Sequence, residues 1–385
     1  MDNNTQLSDK RIKIGNWAVI IALFGLATAL WNEYSWYEVI APYGTLISFV
    51  ALCVTFLAYV NVKDALKDPA FIMMAVVDAL ALINLFIVKS GKGAFLTAFD
   101  VLMVLYLANK IHFSKKMMYA CYGYIGFYFY YWTFDVKGYF KGYNTNYGGL
   151  VLITGFVFTM IGIEYLREYV KSKGYEKASK WMLLIYAWMF AWGYNIIAWY
   201  RARCALVGLI VFFLVVVLPK EIWNKKWVYA VPVIGVTFGP LAFSGLYIWL
   251  SKLSDVFTIR LFYKDAISGR NEVWKELWSA FSKKPITGIG SSYEMNIEWL
   301  GGMFEVHSGM LDILFVHGIV VFIAVCAFLI KRLWALRENA ALTNTSKFIM
   351  GAVMAILASS FFENFFIVPP FLLAFLVLLA SCNES

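Results

Sequence analysis

Residues 308–330, SGMLDILFVHGIVVFIAVCAFLI, decide the fold. Apart from Ser308, Asp312 and His317 the stretch is built of apolar residues and glycine, and it reaches the roughly 20 residues that a helix needs to cross a hydrocarbon core. Working outward, comparable apolar segments stand at 17–31, 42–60, 70–88, 93–109, 117–133, 147–165, 181–200, 203–218, 227–249, 347–363 and 366–381. The whole 385-residue chain is 62% hydrophobic and 15% charged, with a mean hydropathy of +0.69. Soluble domains run nearer half apolar and a quarter charged. The expected fold is therefore all-α, a polytopic membrane helix bundle of eleven or twelve transmembrane helices. An N-terminal bundle of about nine helices is expected over 1–249, a long loop outside the membrane over 250–306, and the last helices over 307–385. The first span follows Lys10, Arg11 and Lys13 but has no small-residue cleavage site, so it reads as a retained helix and not a signal peptide.

The cysteines (Cys53, Cys121, Cys204, Cys326 and Cys382) lie scattered in apolar segments with no CxxC spacing, which suggests helix packing and neither disulfides nor a metal site. No GxxxxGK[ST] motif occurs, which argues against a nucleotide-driven pump. The net charge of +9 follows membrane topology and gives no reason to invoke nucleic acid. With the N-terminus placed in the cytoplasm, the alternate short loops on that side carry Lys63, Lys110, Arg167, Lys171, Lys220, Arg332 and Lys347 among many others. The opposite short loops carry only Lys89, Lys92, Lys137, Lys141, Arg201 and Arg203. Short-loop Lys/Arg bias sets orientation, so both termini are expected inside and the loop 250–306 outside.

That loop is too charged to cross a bilayer and too patterned to be a linker. In SGRNEVWKELWSAFSKKPITGIG, residues 268–290, Val273, Leu277 and Phe281 recur at i+4 spacing with Trp274 and Trp278 beside them. Arg270, Glu272, Lys275, Glu276 and Lys283 fall on the other faces. The pattern predicts an amphipathic helix at the membrane–water boundary, ended by Pro285 and the Gly288-Ile289-Gly290 turn. Two readings stand: a helix that braces the bundle, and one that carries part of an active site.

Arginine favours the second. Arg201 and Arg203, in WYRARCALVGLI, sit at the outer junction of two spans, where an arginine needs water, a carboxylate or an anionic ligand. Guanidinium binds phosphate through a planar fork and stays charged at every relevant pH. Arg260 and Arg270 add to this set of phosphate clamps, although snorkelling to lipid headgroups also accounts for Arg201. His307 ends the loop at the mouth of the next span, where a neutral imidazole can accept a hydroxyl proton or serve structure alone. His112 lies in a Lys-rich inner loop, and His317 lies about 15 Å along the helix from His307 at ~1.5 Å per residue. Asp78 and Asp100 are expected to pair within the bundle, and Asp312 to support His307.

Taken together, SGRNEVW…KKPITGIG and HSGMLDILFVHGI resemble the signature of the bacterial O-antigen ligase and polymerase superfamily. NTNYGGLVL, WYRARCALVGLI and FFENFFIVPP are similar to its asparagine-type helix start, its arginine-bearing helix start and its Glu-containing junction between the last two spans. The motifs run in the family's order over roughly 144–375. Ser308 stands where the family has Asn after the histidine, Thr145 replaces a Pro, and Arg201-Ala202 stands where Ser precedes the arginine, which leaves Arg201 and Arg203 as alternatives for one role. The resemblance implies an inverting membrane glycosyltransferase in the bacterial inner membrane that takes an undecaprenyl-pyrophosphate-linked oligosaccharide and needs neither metal nor cofactor. It implies that Arg203 and Arg270 bind the donor pyrophosphate, and that His307 is the base or orienter for the acceptor hydroxyl. Arg201, Arg260, Asn146 and Glu363 are implied as further substrate-binding residues, Glu363 either toward acceptor hydroxyls or toward an arginine. A chain-length regulator and a flippase are the implied protein partners.

A polymerase joining repeat units into O-antigen, capsule or exopolysaccharide is the leading expectation, because the chain is short, aromatic-rich and divergent. A ligase transferring the glycan to lipid A–core is the alternative. A flippase of the same lipid is a further one, against which stands the lack of a loop in the first half matching 250–306.

Overall fold

The structure, a computed structural model, describes residues 3–32, 39–88, 90–134, 145–252, 260–261, 264–265, 269–298, 304–365 and 368–384. Among these it is a helical protein. In chain order the helices are α1 (Asn3–Leu30), α2 (Gly44–Tyr59), the single turn α3 (Val62–Ala65), α4 (Pro69–Ile87), α5 (Lys92–Leu107), α6 (Lys115–Phe134) and α7 (Thr145–Ser172). They continue as α8 (Glu176–Tyr200), α9 (Arg203–Val217), α10 (Lys226–Ser251), α11 (Arg270–Phe281), α12 (Gly309–Leu342), α13 (Asn344–Ser359) and α14 (Pro369–Ala380). A helix overlies every apolar segment named above, and α11 stands where the amphipathic pattern predicts it. Among the described residues seven helices are long and apolar enough to cross a membrane: α1, the 41–59 helix, α4, α7, α8, α10 and α12. Helices α9 and α14 are apolar but shorter. Between α10 and α11 the two-residue strands Arg260–Leu261 and Lys264–Asp265 pair antiparallel.

Local chemistry sets the helix ends. Asp68 caps α4 by accepting from Ala70 N at 3.0 Å, and Pro69 supplies the fixed φ suited to a first turn. Asn61 caps α3 in the same way. Arg11, on α1, donates to Leu57 O at 2.6 Å, a cation on the carbonyl end of α2.

The chain divides into two compact units. The first comprises residues 1–111, 237–332 and 360–376; the second comprises 112–236, 333–359 and 377–385. In the first unit the α1–α2 contact is sealed by Thr55, whose hydroxyl donates to Gly15 O at 2.9 Å. Asp100, almost wholly buried, accepts from Ser48. In the second unit α6 and α7 share a ladder of aromatic contacts such as Phe129–Phe156 and Tyr122–Phe158.

Helix α12 is not the uninterrupted rod its sequence suggests. Gly318 has φ 86 and ψ 174, values essentially confined to glycine, and the segment 285–290 enters the gap. Ile319 N, which in a continuous helix would bond the carbonyl four residues back, donates instead to Pro285 O at 2.9 Å. Ile289 N and Gly290 N donate to the freed carbonyls of Phe315 at 2.8 Å and Val316 at 3.2 Å. Broken backbone inside a membrane helix persists only where such partners re-satisfy it. Gly288 is obligatory here, since a Cβ on it would stand 2.4 Å from Val316 O, and one on Gly318 would stand 2.0 Å from Ile286 O. The inserted segment is also tied to the end of α4, where Asn84 donates to Thr287 O at 3.1 Å.

Candidate functional site

The first unit gathers three of the expected residues, Arg270, His307 and Glu363, into one buried cluster. Arg270 opens α11 directly after Gly269, which adopts the left-handed conformation at φ 75. Along α11 the buried positions are Arg270, Val273, Trp274, Leu277 and Phe281. This corrects the expectation from charge pattern: Arg270 belongs to the inward face and only 4% of it is exposed. Spacings of three, four, seven and eleven put it on that stripe. Trp274 is likewise wholly buried and not a belt residue at a water boundary. It packs against Tyr247 at 5.1 Å and Phe243 at 5.9 Å between ring centroids.

A charged group is held on an inward face only if its donors find partners. Arg270 Nη2 donates to Phe362 O at 2.8 Å and to Glu363 Oε1 at 3.0 Å, and its guanidinium lies 5.9 Å from the centre of the Phe362 ring. Its Nε is buried with no hydrogen-bond partner. Glu363 is 7% exposed, so the pair is a buried ion pair, in which loss of either partner strands the other's charge.

His307 stands beside this pair in a strained backbone conformation. Its φ is 55, and Arg201 is the other non-glycine residue with positive φ among those described. Such strain at a non-glycine residue marks functional positions more often than chance. Its Nδ1 lies 3.3 Å from Glu305 Oε1 and 3.8 Å from Glu363 Oε1, in ion-pair range but outside hydrogen-bond geometry. Neighbours on both sides hold the residue in place: Trp274 Nε1 donates to Val306 O at 2.8 Å, and Ser308 N donates to Asn364 Oδ1 at 2.8 Å. Gly309 N then bonds Ser360 O at 3.0 Å. The Ser308 hydroxyl is buried without a partner. The recorded contacts of His307 run to Glu305 and Glu363, whereas Asp312 engages Ser308 O through its backbone N–H. Glu305, Trp274 and Asn364 were not foreseen; Asn364, next to Glu363 in FFENFF, was the most readable of them.

On the outward side of α11, Glu276 accepts from Tyr293 OH at 3.1 Å and from Asn296 N at 2.8 Å. Burial and then this bond push the Tyr293 hydroxyl above its ordinary range, so it stays a donor throughout the neutral pH range and keeps the 293–298 segment on the helix.

The other expected residues are Arg201, Arg203, Asn146 and Arg260. In the second unit, Arg201 occupies the left-handed cap of α8 at φ 54, and Arg203 begins α9. Asn146 lies in the first turn of α7, where its carbonyl accepts from the Cys204 thiol at 3.5 Å. A Cβ on Gly149 would meet Ala202 Cβ at 2.5 Å, so the NTNYGG start of α7 is what lets the arginine-bearing turn approach. Arg260 is described only through its backbone, which pairs with Asp265. Ser268, part of the first motif, and Phe366 and Ile367 of FFENFFIVPP lie outside the described residues.

The family model described as O-antigen ligase matches residues 181–326, which run from α8 through the first half of α12 and include Arg201, Arg203, Arg270 and His307. No curated protein and no solved structure matches. The match supports the O-antigen ligase and polymerase superfamily. The apolar helices make this a membrane protein, and over the matched segment it is similar to ligase- and polymerase-type proteins.

Proposed function

We propose, on the footing of that superfamily, that this chain is an inverting glycosyltransferase of the bacterial inner membrane that polymerises undecaprenyl-pyrophosphate-linked repeat units into a surface polysaccharide. The observation that carries the reading is the buried cluster in which Glu363 stands between Arg270 and His307.

Two carboxylates facing Nδ1 favour the tautomer with its proton on that nitrogen, which makes Nε2 the acceptor for a sugar hydroxyl proton. The hydroxyl oxygen attacks the anomeric carbon of the donor from the face opposite the leaving group. The bond to the pyrophosphate oxygen breaks with its electron pair, and the anomeric configuration inverts. The leaving group departs with its negative charges, which a guanidinium fixed in a buried site stabilises without reorganising. Arg270 has Nε free of internal partners for that contact. Arg203 is assigned the same ligand chemistry, and Arg201, Asn146 and Arg260 remain candidates for binding substrate.

Transfer of the glycan to lipid A–core is the second reading, favoured by the description of the matching family model. Purified protein incubated with a synthetic undecaprenyl-pyrophosphate repeat unit and EDTA separates them. A ladder that disappears in Arg270→Ala and His307→Ala variants with unchanged melting behaviour supports the polymerase. Transfer only after lipid A–core is added supports the ligase, and lipid flipping without either reaction overturns the enzyme reading.

A further inference from the structure

The second unit holds a cavity of about 650 Å³ lined by parts of α7, α8, α9 and α13. None of the expected site residues lines it, and it has two chemically distinct regions. One is charged: Glu164, fully buried, receives both Arg167 Nε at 2.7 Å and Arg167 Nη2 at 2.6 Å, together with the Tyr186 hydroxyl. That carboxylate has Arg167 as its direct ion-pair partner. The other region is apolar and opens on the outside of the bundle, where Leu183, Phe213 and Val217 are 52%, 44% and 60% exposed.

Lys347 lines the charged region and is 8% exposed. Its ammonium donates to Val216 O at 2.7 Å and Leu218 O at 3.1 Å, the carbonyl end of α9, and has a third N–H to give. Among the described residues no carboxylate forms an ion pair with it. The charges around it are Glu164 and Glu221 against Arg167 and Lys220, two of each sign, so the ammonium is the odd charge of the group. A buried cation without an anion is costly. A site that places such a cation at the head of an apolar groove facing lipid has the shape of an amphiphile whose head is anionic.

We propose that this cavity binds an anionic phospholipid of the surrounding bilayer, with its phosphate against Lys347 and an acyl chain along Phe213 and Val217. A soluble anion would satisfy the lysine but leave the apolar walls unfilled, and a zwitterionic lipid would bring its own cation to the site. The proposal stands apart from the glycosyl-transfer reading, since none of these residues belongs to the Arg270 cluster.

The test uses the full-length protein, delipidated in detergent and then mixed with phosphatidylglycerol, phosphatidylcholine or inorganic phosphate. Bound lipid is counted by native mass spectrometry and protection is read by thermal unfolding. Wild type is expected to hold phosphatidylglycerol at least about fivefold more tightly than phosphatidylcholine, the contribution of one basic residue to an anionic lipid. Lys347→Met should abolish that preference. Val217→Trp, which fills the groove and leaves the charges alone, should weaken both lipids and keeps the test decisive should the lysine variant not fold. Equal retention of the two lipids by wild type, or an undiminished preference in Lys347→Met, overturns the proposal. Protection by inorganic phosphate equal to that by phosphatidylglycerol overturns the lipid and leaves only an anion site.

Discussion

At the scale of single residues, the cluster around Glu363 behaves as a unit, because one carboxylate oxygen serves both Arg270 and His307. Arg270→Lys keeps the charge but loses the planar fork, and is expected to lower kcat by about 10²-fold, the scale of one removed oxyanion donor. A steady-state assay of ladder formation measures it. Trp274→Phe removes the bond to Val306 O and replaces the indole by a smaller aromatic ring. It should cost about 2–4 kcal/mol in stability, the cavity left by the smaller ring added to the unmade bond, seen as a drop in melting temperature, with kcat changed more than KM because the backbone before His307 loses its tether. Arg270, His307 and Glu363 were legible in the sequence because charge is scarce in so apolar a chain. The inward direction of Arg270 was also written in its spacing from Val273, Trp274 and Leu277, but charge type argued against it and misled. The strained φ of His307 has no sequence signal, since non-glycine residues do not announce it.

At the scale of elements, sequence periodicity located the helices well, since runs of apolar residues at membrane length leave little choice. It did not show the break in α12, because one glycine in a long apolar run reads as a tolerated defect. The partner segment, PITGIG, reads as a simple helix stop. The structure shows the two glycines as one device, so Gly318→Ala and Gly288→Ala should each destabilise by more than ~3 kcal/mol, a steric clash added to a backbone conformation closed to alanine. Pro285→Ala keeps the accepting carbonyl and should change stability by under ~1 kcal/mol. Thermal unfolding in detergent, with yield after size-exclusion chromatography, distinguishes the three.

For the whole molecule, composition and the count of apolar segments gave the membrane class directly, whereas the division into two discontinuous units has no counterpart in the linear order, because distant segments build each unit. Orientation rests on loop charge alone, and it predicts opposite accessibility for Lys275 on α11 and Lys177 on α8. With the native cysteines replaced, Lys275→Cys should react with a membrane-impermeant maleimide in spheroplasts, and Lys177→Cys only after lysis. The reverse pattern would invert the topology.

The threading of 285–290 through the gap at Gly318 also gives the protein a timetable. The segment that completes α12 is synthesised before α12 itself, and the helix cannot satisfy its own backbone without it. A nascent α12 that reached the bilayer while this segment was misplaced would carry bare polar groups into hydrocarbon. The order of synthesis thus places the completing segment ahead of the helix whose backbone it satisfies.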